Sequence, residues 1–215
     1  TECGGGNMSR SAVIDAQRMT VRRMSFRFPQ QLGGLWNPQR PEFSHVVNAA
    51  SLAMPFLEPY LIETMRKART KVTDARLIAE IDLYIGQEAT HFRQHQQFNK
   101  RLADLGYTSV PAAEAVLKAD YQSFARNRSF AFNLAYAEGF EAMALAIGHM
   151  LVEDREYLFG DGEASVASLV LWHFVEEIEH KTGRRAEGVL TAANTFVQKA
   201  VSGVGLFAAG AILTI

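Results

Sequence analysis

From Glu42 onward the apolar residues recur at three- and four-residue spacing over long segments with few breakers, a period that belongs to the α-helix. The first long helix covers roughly 42–69, with Val46, Val47, Ala50, Leu57, Leu61 and Met65 on its stripe. Pro55 and Pro59 each remove an intrahelical hydrogen bond, which predicts an interruption and a kink near Glu58. The second covers roughly 74–104, with Asp74 as N-cap and Gly106 as stop. A connecting helix over 111–126 begins at Pro111. The third long helix spans about 129–158 and ends before Gly160-Asp161-Gly162; the fourth starts near Asp161 and reaches at least Lys181. No strand alternation and no repeat period compete with this pattern. Each stripe must be buried against another, so the expected fold is all-α, an antiparallel four-helix bundle. Residues 8–41 are basic and then punctuated by Phe28-Pro29, Gly33-Gly34, Asn37-Pro38 and Arg40-Pro41, which reads as an irregular arm lying on the domain. The expected organisation is a leader and arm over 1–41, the bundle over 42–192 and an apolar segment over 193–215.

Polar residues on the inward faces are the second constraint. The second helix contains Gln87-Glu88-Ala89-Thr90-His91-Phe92-Arg93-Gln94-His95. At about 100° per residue, Glu88, His91 and His95 fall within an arc of roughly 60°. Ile81, Tyr84, Ile85 and Leu102 share that face, so it points inward, where an unpaired carboxylate or imidazole is costly. The fourth helix repeats the arrangement with His173, Glu177 and His180 beside Leu169 and Val170. A single Glu-x-x-His is weak evidence; two of them, both mid-helix on apolar stripes and using four of the chain's 6 histidines together with His95 and His173, form a pattern. Each motif helix is preceded by a long helix with an inward glutamate: Glu58 in the first, Glu141 or Glu138 in the third. Glu, Glu-x-x-His, Glu, Glu-x-x-His is the ligand order of the ferritin-like di-iron and di-manganese carboxylate bundles. The plain alternative is an exposed polar face with i,i+3 or i,i+4 pairing for Glu88, His91, Glu177 and His180, and a helix-end charge for Glu58. His95 and His173 are read as metal contacts or as histidines beside the metal; His45 and His149 receive no role.

Composition removes other classes. With 22 Lys+Arg against 23 Asp+Glu the formal charge is −1, which provides no basic field for nucleic acid. The one cysteine, Cys3, lies in the leader Thr1–Asn7, so a disulfide framework, a zinc ribbon and thiol catalysis are excluded from the core. Any metal is therefore held by His, Asp or Glu, and such mixed N/O ligation suits two divalent ions, iron first, with manganese or zinc as alternatives. The start lacks a secretory pattern, Thr1–Asn7 before Met8 reads as a remnant, and a cytoplasmic body is expected. Residues 200–215 hold no charge; they read as a core-packing or swapped apolar C-terminal helix, with a membrane-contacting tail as the alternative.

These residues bring the chain close to a known family. It resembles the bacterial family of predicted metal-dependent hydrolases, which has a ferritin-like helical core. The resemblance rests on Val21-Arg22-Arg23-Met24-Ser25-Phe26, on Asn48-Ala49-Ala50-Ser51-Leu52 with Pro55 and Glu58, and on Tyr84-Ile85-Gly86-Gln87-Glu88-Ala89-Thr90-His91 with His95 and Asn99. It continues through Glu141 and Trp172-His173-Phe174-Val175-Glu176-Glu177-Ile178-Glu179-His180-Lys181, over roughly 20–182. It implies Glu58, Glu88, His91, Glu141, Glu177 and His180 as metal ligands, with His95 and His173 close by. Pro59 after Glu58 and the stretch Thr182–Gly188 depart from the family pattern.

Three functions are compatible with such a centre. In the hydrolytic one, two metals acidify a water and hold a carbonyl or phosphoryl oxygen, while Glu176, Glu179 or a histidine such as His95 or His173 moves the proton. In the oxidative one, ferrous ions activate dioxygen against an apolar small-molecule substrate. The third is metal storage or a structural metal bundle without catalysis. Arg184, four residues after His180, either continues the metal-facing stripe or belongs to a solvated Arg184-Arg185 pair. The expected partner is a small-molecule substrate; a second copy of the chain and a membrane surface at 200–215 stay as alternatives.

Overall fold

The computed structural model describes residues 21–181, with side chains up to Ile178. Cys3 and the leader, Arg184, the segment 193–215 and the side chains of Glu179 and His180 lie outside the described residues. Among those described, six helices and no strand are present.

Helix α1, Pro41–Arg69, opens on a proline whose fixed φ suits the first helical turn. It runs through Pro55 and Pro59 as one continuous 29-residue helix, where the sequence predicts an interruption. Packing outweighs the lost hydrogen bonds there, since Leu57, Glu58 and Leu61 between and beside the prolines are fully buried. Its inward stripe also differs from the purely apolar pattern: Val46 and Ala50 are exposed, while the polar Asn48 and Ser51 are buried. Helix α2, Ala75–Asp104, is capped by Asp74, whose carboxylate accepts from the Arg76 and Leu77 N–H groups. The turn after it needs Gly106, at φ 79°. Helix α3 is Val110–Asn127, and α4, Phe130–Glu153, is capped by Ser129 accepting from Phe132 N–H. The single helix expected over 129–158 breaks at Asp154, and a short α5, Arg155–Phe159, follows. The break re-aims Phe159 into the core, where its ring meets Phe43 edge-on at 5.1 Å and stacks on Trp36 at 6.2 Å. Helix α6 is Ala164–Lys181.

Helix directions follow from cross-helix pairs. Ser51 of α1 meets Asn99 of α2, and Arg69 meets Asp82, so α2 runs against α1. His95 meets His173 and Gln87 meets Glu177, so α6 runs against α2. Glu141 meets Glu177 and Gly148 meets Phe174, so α4 runs against α6. The four long helices therefore run up, down, down, up, and α3 carries the chain back along the bundle between the two parallel members. Contacts of α1 with α2, α2 with α6, α6 with α4 and α4 with α1 close the ring.

Two apolar clusters fill the two ends of the ring. One gathers Phe98, Leu102, Leu151, Val166 and Leu169 with Leu32 and Trp36 of the arm; the other gathers Leu57, Tyr60, Leu61, Tyr84 and Ala137 under Tyr121 and Phe124 of α3. The described part of the arm, 21–40, is non-helical and lies on the helices. Its Phe26 ring packs on Trp172 at 5.4 Å and its Phe28 ring on Phe98 at 5.2 Å. No helix among the described residues is long and apolar enough to cross a membrane.

Candidate metal centre

Between the two apolar clusters the helices turn polar residues toward one another. Glu58 of α1, Glu88, His91 and His95 of α2, Glu141 of α4, and His173, Glu176 and Glu177 of α6 are all buried there. Glu138 is exposed, so of the two α4 glutamates only Glu141 faces the centre. A helix so apolar that most faces could be buried gives no clear register to the eye, which is why the pair stayed open in sequence. His45 and His149 are exposed.

His91 is the hub. Its Nε2–H donates to Glu176 Oε2 at 3.1 Å, and its Nδ1 lies 3.4 Å from Glu177 Oε1 and 3.9 Å from Glu88 Oε1. The Trp172 ring meets it edge-on at 4.9 Å and the His173 ring stacks on it at 4.2 Å. Glu176 Oε1 in turn accepts from the Arg22 backbone N–H at 3.1 Å and lies 3.6 Å from its guanidinium. Tyr84 O–H donates to Glu141 Oε1 at 2.6 Å, and Gln87 Nε2 donates to Glu177 Oε1 at 3.1 Å. His95 Nε2 and His173 Nδ1 meet at 3.0 Å, while Ser51 Oγ lies 2.8 Å from His95 Nδ1. Both oxygens of Glu58, and Glu177 Oε2, are buried with no hydrogen-bond partner among the described residues.

The charges respond to this crowding. Burial pushes the Glu58 carboxyl well above its usual value, and the Glu177 and Glu141 charges push the same way, against the His91 cation. His91 is raised to about 10: burial opposes its charge, but the hydrogen bonds to Glu176 and Glu177 and the nearby Glu58 overcome it. Burial also works against the Glu177 carboxylate, yet the His91 hydrogen bond and charge hold it well below the usual range. His95 falls to about 3 and His173 falls well below its usual value, both by burial and then by the His91 charge. Burial raises the Tyr84 phenol, and the Glu88 and Glu141 charges add to it.

The donor set fits divalent cations. Glu58 with Glu88 and His91, Glu88 with Glu141 and Glu177, His91 with His173 and Glu177, and Glu58 with His95 and His173 each bring one ligand atom within 4.8 Å of one another. Oxygen and imidazole donors without thiolate suit iron, manganese or zinc. The proton on His91 is a weak substitute for such an ion, because it leaves the oxygens of Glu58 unmatched.

Five supports had no role in the sequence reading. Tyr84 sits one turn before Glu88 on the same inward stripe, where it read only as a core residue; Gln87, Ser51 and Asn99 read as ordinary helix residues. Arg22 lies in an arm without periodicity, and no spacing signal points from it to Glu176.

Fold and site together define an all-helical protein with a buried carboxylate–histidine centre suited to metal. The family of predicted metal-dependent hydrolases matches the chain over residues 20–183, and the chain belongs to it. No curated protein and no solved structure matches it.

Proposed function

We propose that the chain is a metal-dependent hydrolase with a di-metal centre inside a ferritin-like bundle. The observation that carries this reading is Glu58, a buried carboxylate whose two oxygens have no hydrogen-bond partner among the described residues, facing the ligand atoms of Glu88 and His91. Such a cluster is costly as it stands and is relieved by cations. The up, down, down, up order with α3 as the crossover supports the ferritin-like assignment, because that fold has one long crossover connection. The ligands are Glu58, Glu88, His91, Glu141, Glu177 and, by its place in the second motif, His180.

Bound there, two divalent ions supply an acidified water and a Lewis-acid hold on a carbonyl or phosphoryl oxygen. The chain's own residues set the stage for this. Glu176, clamped by Arg22, accepts from His91 Nε2 and so points Nδ1 at Glu177 and Glu88. Tyr84 fixes one oxygen of Glu141 and Gln87 one oxygen of Glu177. Glu176 is also placed to take up a proton at His91 Nε2, and Glu179 is the second proton-carrying carboxylate we assign; His95 and His173 stand beside Glu58. The substrate is a small molecule, and the catalytic body is the 42–192 bundle beneath the arm.

A second reading, a di-iron oxidase or oxygenase, draws on the ligand order itself, one Glu and one Glu-x-x-His from each half, which di-iron carboxylate bundles share. Zinc- and iron-loaded protein assayed without oxygen against esters, amides and phosphoesters separates the two. Turnover with zinc in the absence of oxygen is the expected result; activity confined to iron plus dioxygen overturns the hydrolase.

A further inference from the structure

His95 and His173 stand outside both Glu-x-x-His motifs, yet their hydrogen bonds have a fixed direction. Asn99 Nδ2 donates to the Ser51 carbonyl at 2.8 Å, so the other end of that amide is an acceptor. Ser51 Oγ, 2.7 Å from Asn99 Oδ1, gives it the one proton it has. Across the 2.8 Å contact between Ser51 Oγ and His95 Nδ1 the imidazole must then be the donor. With its hydrogen on Nδ1, a neutral His95 presents a bare lone pair at Nε2. That lone pair faces His173 Nδ1 at 3.0 Å, and His173 Nδ1 lies 3.9 Å from Glu58 Oε1. All three side chains are buried, and neither Glu58 oxygen has a hydrogen-bond partner among the described residues.

We propose that Glu58, His95 and His173 form a two-histidine, one-carboxylate site for one divalent transition-metal ion, with Ser51 and Asn99 holding the His95 ring in its ligating tautomer. One atom from each of the three lies within 4.8 Å of the others. The ion is of the iron, manganese, cobalt or zinc type, since two imidazoles select against magnesium and calcium. The centre is thereby uneven: Glu88, Glu141 and Glu177 make one side rich in oxygen, and His95 and His173 make the other rich in nitrogen. A neutral His173-to-His95 hydrogen bond would satisfy the two rings alone but would leave Glu58 unmatched. The inference rests on the proposed metal centre and goes beyond it by making ligands of two histidines that neither motif contains.

The test uses the full chain, stripped with chelator and titrated with cobalt(II), with metal per chain measured by elemental analysis and the ligand field read by visible absorption. Circular dichroism confirms that each variant folds. His95→Gln and His173→Gln are each expected to lose one cobalt per chain and the corresponding absorption. Ser51→Ala keeps every ligand but frees the His95 ring, and is expected to weaken that one cobalt by roughly 10–100-fold. Wild-type stoichiometry, affinity and spectrum in all three variants would overturn this site and leave the proposed centre standing. No cobalt uptake by the wild-type protein would overturn the proposed centre itself.

Discussion

Replacing Glu58 by glutamine should make the metal-stripped protein more stable, and added metal should cut that gain. The carboxyl is fully buried, neither of its oxygens has a hydrogen-bond partner among the described residues, and its folded pKa lies well above the usual 4.5. A group raised in this way supports the fold fully below 4.5 and loses that support as pH climbs through the folded value. Each unit by which the fold raises that pKa costs about 1.4 kcal/mol at a pH above both values, a cost that glutamine, neutral in both states and of nearly the same shape, does not incur. For a domain of this size each such unit should lift the melting temperature of the stripped variant over wild type by about 3–6 °C at neutral pH. The gain should shrink as pH falls toward 4.5. With metal present at about a hundred times its Kd the wild type gains about 2.7 kcal/mol that a variant lacking a ligand does not, which offsets about two units of that shift. Differential scanning calorimetry with chelator and with metal, at both pH values, reads all four numbers. A stripped variant that melts at or below wild type at pH 7, or a gap equal at pH 5 and pH 7, would refute the reasoning.

Metal uptake should release protons, because His91, raised to about 10, carries hydrogen on a ring whose Nδ1 faces Glu177 and Glu88. Calorimetric titration at pH 7 in two buffers of different ionisation enthalpy should show about one to two protons released per chain and an apparent affinity that rises with pH; heats independent of buffer would contradict this. Without metal, the His91 contribution to stability is complete below 6.5 and declines as pH rises toward 10, so the stripped protein should unfold more easily in alkali than in neutral solution. Gly148→Ala places a Cβ 3.0 Å from Phe174 Cδ1 where α4 crosses α6, and thermal melting should show a loss of about 1–3 kcal/mol despite the gain in helix propensity.

Local chemistry was readable where one residue decides the matter. Asp74 and Gly106 mark helix ends because a cap or a positive φ needs those residue types. The inward placement of Glu88, His91 and Glu177 was readable because a carboxylate among isoleucines and leucines is conspicuous. What the sequence hid depends on residues far apart along it. The break at Asp154 exists because Phe159 seats against Trp36 and Phe43, more than a hundred residues earlier, while the apolar period runs on undisturbed. Arg22 finds Glu176 across 154 positions, and no spacing rule relates them. The prolines of α1 misled for the same reason: their cost is local, and the burial of Leu57 and Leu61 that offsets it is not.

The donors come in two instalments during synthesis. The hairpin of α1 and α2 holds Glu58, Glu88, His91 and His95, and the pair α4 and α6 holds Glu141, His173, Glu176 and Glu177. At roughly 5–20 residues per second, the ribosome needs on the order of ten seconds between Glu58 and Glu177. For that interval the first hairpin offers an incomplete, water-exposed set of ligands with no second half to enclose an ion. A cation captured then is held by few groups and is easily exchanged; one captured after α6 has docked is gripped from both halves. Lasting capture would therefore be tied to the docking of α6, and a metal bound there would be the rivet that joins an early-made half of the protein to a late-made one.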